Sequence, residues 1–72
     1  MKVQTTVITK LGSYSSDISE NVDEETVELA RDLLRQASNL EYFCLVKGGK
    51  TIYFPREVIS QSILILDVIE AD

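Results

Sequence analysis

The chain has 72 residues, twelve acids against seven bases, no histidine and a single cysteine, Cys44. This length holds one domain, the missing histidine removes the usual zinc ligand sets, and a lone thiol cannot form an internal disulfide. A net charge of −5 argues against non-specific nucleic-acid binding, which depends on Lys and Arg neutralising phosphates.

Lys2 to Leu11 is expected to form the first strand. Val3, Thr5, Val7, Thr9 and Leu11 fall on one face and Lys2, Gln4, Thr6, Ile8 and Lys10 on the other, because side chains alternate across a strand. Gly12 ends it. Ser13 to Ser19 is expected to be a polar loop, since serine side chains offer the backbone local hydrogen bonds that compete with regular structure. The N-terminal residues contain no apolar stretch of signal-peptide length. No run approaches the roughly 18 apolar residues of a membrane span. A soluble, cytoplasmic chain without a cofactor is expected.

A helix is predicted from Asp23 to Ser38. Asn21 stands where an N-cap belongs, with Glu24 three residues later as a capping-box partner. Val27, Ala30, Leu33, Leu34, Ala37 and Leu40 repeat at the spacing of one helical face. Asp17, Glu20, Asp23, Glu24, Glu25, Glu28 and Asp32 place seven of the twelve acids within sixteen residues. The ordinary reading of such a run is a solvated helix face.

Glu41 to Lys47 and Lys50 to Phe54 are predicted strands joined at Gly48-Gly49, because primed two-residue turns need positive φ. Pro55 cannot donate a ladder hydrogen bond and ends the second of them. Arg56 to Gln61 is a tight bend or a single helical turn. Ser62 to Ile69 (Ser-Ile-Leu-Ile-Leu-Asp-Val-Ile) is the longest apolar run. Its β-branched residues favour a strand, with Ile63, Ile65 and Ile69 on one face and Leu64, Leu66 and Val68 on the other. Both faces of that strand need cover, and one helix covers only one of them.

Several motifs are excluded by their own chemistry. Gly-Lys-Thr at 49–51 lacks the earlier glycine of a phosphate loop, since Cys44 stands there, and it lacks the following helix. Cys44 has no histidine to activate it and is expected to be a buried, inert thiol. No metal set or convergent carboxylate pair can be placed, so no catalysis is expected. Asp67 is expected to guard an edge strand against aggregation. Tyr42, Phe43, Tyr53 and Phe54 flank the turn. They form either cross-strand packing or a stacking platform for bases.

Val58-Ile59-Ser60-Gln61-Ser62-Ile63-Leu64-Ile65-Leu66 resembles, over fewer than ten residues, the groove-binding strand of uracil-DNA glycosylase inhibitors. That strand carries Glu-Ser-Ile followed by apolar residues. Gln61 stands in place of its glutamate, and the segment lies near the end of this chain rather than near its start. The resemblance implies an acidic inhibitor that imitates DNA phosphates.

The expected fold is α+β in the order β-α-β-β-β, a four-stranded, mainly antiparallel sheet with one amphipathic helix on one face. A domain this small buries only about 60% of its unfolded surface, and without a disulfide or metal it needs good packing or an oligomer. The expected function is a non-catalytic protein-binding module that self-associates as a homodimer or larger homo-oligomer, in the manner of a viral accessory factor acting on a host protein. Its contact is expected through Leu64, Leu66 and Val68 on the open sheet face. The alternatives are a DNA-mimic inhibitor through Asp23, Glu24, Glu25, Glu28 and Asp32, or anion and phosphate binding through Lys47, Lys50 and Arg56.

Overall fold

The computed structural model describes residues 1–69. The protein is a small α+β fold with two antiparallel sheets and one main helix. Strand β1 (Lys2–Thr9) turns through Lys10 and Leu11 into β2 (Gly12–Ser15). Helix α1 (Glu24–Arg35) is followed by a 3-10 turn, Ala37–Asn39. Strands β3 (Tyr42–Lys47) and β4 (Lys50–Pro55) form a hairpin. A short helix α2 (Arg56–Ile59) leads to β5 (Ile63–Ile69).

The single four-stranded sheet is not what forms. β5 leaves the hairpin and pairs with β1, giving a three-stranded sheet in the order β2-β1-β5 beside the two-stranded β3-β4. The cause lies at Pro55, which removes a ladder donor and is followed at once by the turn of α2. That turn redirects the chain, so β5 cannot continue the meander. The serine-rich segment is also not simply a loop. Thr9 Oγ1 accepts the Leu11 N–H at 3.1 Å and donates to the Gly12 carbonyl at 3.0 Å, closing a turn that the sequence reading missed. β1 therefore stops at Thr9, and Ser13 and Ser15 flank an inward Tyr14 on a real strand.

The helix is capped two residues later than expected. Asn21 sits in the left-handed region at φ 57°, and Asp23 caps instead, accepting the Thr26 N–H at 2.8 Å. At the other end the Gln36 N–H is shared between Asp32 and Leu33 carbonyls, each at 3.2 Å. This tightens the last turn into the 3-10 segment, so α1 does not reach Ser38.

Directly paired residues share a sheet face, which sorts the three-stranded sheet into two sides. Val3, Thr5, Val7 and Thr9 face the same way as Tyr14, Leu64, Leu66 and Val68. Against this side pack the hairpin, over β1 and β2, and α1, which lies nearest β5. Val7, fully buried, joins Ala37, Phe43, Leu45, Phe54 and Ile59 in one core, with Leu64 packed against it. Tyr14 meets Phe54 edge-on at 5.5 Å. The two sheets are also tied by backbone, since the Asp17 N–H donates to the Val46 carbonyl at 2.9 Å.

Candidate interaction surfaces

The open side of the three-stranded sheet is not the one expected. Leu64, Leu66 and Val68 are half-buried on the side covered by helix and hairpin. The uncovered side carries Ile8, Ile63, Ile65 and Ile69, with Ile63 62% and Ile69 43% exposed. The reason is β1: its buried Val7 pairs with Leu64, and that register fixes every other residue of β5. Polar groups occupy the rest of this side. Thr6 and Ser15 hydroxyls lie 2.9 Å apart, the Gln4 amide donates to the Ser16 carbonyl at 2.9 Å, and Lys2 pairs with Glu20 at 3.4 Å. Asp67 is exposed on the same side, on a strand that is an edge of its sheet.

The hairpin has a second open face. Phe43, Leu45 and Phe54 point inward, so Tyr42, Cys44, Val46 and Tyr53 point out by alternation. Cys44 is therefore exposed rather than buried. Tyr42 and Tyr53 meet edge-on at 5.7 Å. Of the four aromatics flanking the turn, two belong to the core and two to the surface. Beside this face a groove of about 250 Å³ runs between α1 and β3, lined by Leu33, Leu34, Tyr42 and Cys44 with Thr5 in it.

The acidic residues are partly spoken for. Asp23 is the helix cap, and its hydrogen bonds to Thr26 hold its carboxyl below the ordinary value of 3.8. Glu28 pairs with Arg31, and Asp32 with Arg35 at 2.8 Å. Glu24 and Glu25 occupy the first turn, where the helix dipole favours them. Glu24, Glu28 and Arg31 line a groove of about 350 Å³ together with Met1, Val27 and Val68. Among the described residues no group of three His, Cys, Asp or Glu side chains is arranged to hold a metal ion.

Lys47 and Lys50 stand opposite each other across the hairpin turn, and Arg56 does not join them. Gly48 and Gly49 adopt φ 57° and 76°, the primed turn that Gly-Gly predicts. This turn already holds an anion of its own: the Gly48 N–H donates to the Asp17 carboxylate at 3.0 Å, and Lys47 lies 3.9 Å from the same group. Arg56 is at the far end of β4, about 20 Å of strand away from Lys50. There it donates to the Leu40 and Asn39 carbonyls at 3.0 and 3.4 Å. Its role is to close the 3-10 turn, which the sequence spacing gave no hint of.

Among the described residues, eleven large apolar side chains are exposed against seven apolar residues buried. No helix among them is long and apolar enough to cross a membrane. Comparison with protein-family models, with curated proteins and with solved structures finds no match to this chain.

Proposed function

We propose that this chain is a small non-catalytic protein-binding module that self-associates. The observation that carries the reading is the apolar surface left open. Among the described residues, large apolar side chains stand exposed on two faces: Ile63, Ile69 and Ile8 on one, Tyr42, Val46 and Tyr53 on another. A second protein surface removes that area from water, and apolar burial is the dominant favourable term in association.

Sedimentation equilibrium or light scattering across the micromolar range tests this directly. A dimer or larger species with a concentration-dependent mass is expected. A constant 8.1 kDa mass up to hundreds of micromolar overturns it.

A further inference from the structure

We propose that the free edge of β5 is a homodimerisation edge, paired antiparallel with β5 of a second copy about a two-fold axis at Leu66. The proposal rests on the self-association reading and names the surface and the partner. It starts from the backbone of β1. Val3 exchanges hydrogen bonds of 3.0 and 2.9 Å with Ser19. The Thr5 carbonyl accepts the Ser16 N–H at 2.8 Å, and the Thr5 N–H donates to the Ser16 hydroxyl at 3.0 Å. The odd residues of β1 thus turn their peptide groups towards β2 and its continuation. By strand alternation Lys2, Gln4, Thr6 and Ile8 turn theirs towards β5, where their partners are Ile69, Asp67, Ile65 and Ile63.

The peptide groups of Leu64, Leu66 and Val68 therefore point the other way, out of the sheet edge. Among the described residues β5 has no second neighbour in the sheet. Such a row of unpaired donors and acceptors is a template for another strand. Two of the usual guards, proline and lysine, are missing from Ile63–Ile69. Asp67 lies on the open face rather than across the edge.

One register satisfies the whole row. With the axis at Leu66, Leu66 pairs with Leu66 of the second copy, and Leu64 with Val68 of the second copy. These are the outward-facing residues, and each such pair exchanges two hydrogen bonds, so every outward N–H and C=O among them finds a partner. Ile63 then stands directly opposite Ile69 of the second copy, and the two exposed isoleucines cover each other. Moving the axis to Ile65 would call on Ser62, whose N–H is already given to the Ile59 carbonyl at 3.1 Å. Moving it to Asp67 would set two carboxylates directly opposite, which is destabilising. The product joins two three-stranded sheets into one, whose open face carries Ile63 against Ile69 of the second copy at both ends and Ile65 against Asp67 of the second copy between them.

A pair of charge variants reads the register. Ile63→Glu with Ile69→Glu sets like charges opposite each other at both ends of the join, whereas Ile63→Lys with Ile69→Glu sets opposite charges there. Both variants present the same glutamate to Lys2, the partner of position 69 within the chain. Dimer dissociation constants from sedimentation equilibrium are expected to differ by about tenfold or more, the mixed-charge variant binding tighter. Circular dichroism establishes that each variant is folded. Equal affinity of the two variants overturns the edge pairing while wild-type self-association still stands. A wild type that remains monomeric overturns both. Independently of these variants, Ile63→Cys with Ile69→Cys in a Cys44→Ser background sets thiols opposite each other at both ends of the join. These are non-hydrogen-bonded pairs, with Cα atoms roughly 4.5 Å apart and the side chains closer, which suits a disulfide between the copies. Oxidation in glutathione buffer is expected to give a cross-linked dimer, and its absence overturns the register.

Discussion

Gly48 donates its backbone N–H to the Asp17 carboxylate at 3.0 Å. Through this contact the turn of the hairpin is held to the segment that leaves the three-stranded sheet, beside the 2.9 Å bond from the Asp17 N–H to the Val46 carbonyl. Asp17→Ala removes the side-chain bond and leaves the backbone one. A loss of about 0.5–1.5 kcal/mol is expected, which in a domain of this size lowers the thermal midpoint by roughly 2–12 °C. Asp17→Asn keeps an acceptor and should recover most of the loss. Lys47→Ala, which removes only an exposed 3.9 Å ion pair, should shift the midpoint by much less. Thermal melts followed by circular dichroism rank the three.

Phe54 carries the core between the two sheets. It is buried, packs in the cluster around Val7 and meets Tyr14 edge-on. Phe54→Ala is expected to cost about 3–5 kcal/mol. The whole stability of a domain this long is roughly 4–11 kcal/mol, so the variant should be largely unfolded at 37 °C. Tyr53→Ala, the neighbouring position on the outer face, should melt close to the wild type. Equal losses at both positions would show that the hairpin does not present the two faces described.

The strong local signals survived the step from sequence to fold, and the failures share one physical cause. The Gly48-Gly49 turn and the apolar β5 are set by a few adjacent residues, and each lies where pattern alone puts it; of the predicted helical stripe Val27 is buried, but Leu33 is 50% exposed and Ala37 and Leu40 lie beyond α1. Partner choice is different. Nothing in Ile63–Ile69 says that it pairs with β1 rather than β4, because pairing depends on where Pro55 and α2 send the chain. With the partner wrong, the face was wrong too, and Leu66 exchanged places with Ile65. In the sequence Asp17 and Arg56 stand out only as charges. Their roles, holding a glycine N–H and closing a 3-10 turn, are made by contacts 31 and 16 residues apart in sequence.

Asp23 couples the helix to pH. Hydrogen bonds from Thr26 lower its carboxyl pKa in the folded chain below the ordinary 3.8. The folded form therefore binds that proton less readily than the unfolded form. Its contribution is complete above the unfolded value and is lost as pH falls through the folded one. Stability should accordingly decline on acidification below about pH 4, in part through this group. Asp23→Asn keeps a capping acceptor without the titration. The gap between wild type and Asp23→Asn should narrow as pH drops from 6 towards 3, read from urea midpoints at each pH. A gap that stays constant across that range removes Asp23 from the acid response.

Leu66 and Ile63 are three residues apart on one strand and face opposite ways. Leu66 is half-buried on the side covered by hairpin and helix, and Ile63 is 62% exposed on the other. Leu66→Asp puts a carboxylate under that cover with no basic side chain directly across, since its partner on β1 is Thr5. The lost apolar contact and the desolvated charge should together cost about 2 kcal/mol or more. With a urea slope of about 1 kcal/mol per molar for so short a chain, the unfolding midpoint should fall by about 2 M. Ile63→Asp adds the same charge to the same strand but leaves it in water, so its monomer should unfold within about 0.5 M of the wild type. In the proposed pairing its effect falls on association, where it would remove the isoleucine set opposite Ile69 of the second copy. Measured at a concentration where sedimentation finds monomer, the two variants separate the cost of folding from the cost of pairing. Should Ile63→Asp destabilise the monomer as much as Leu66→Asp, the open face is not open.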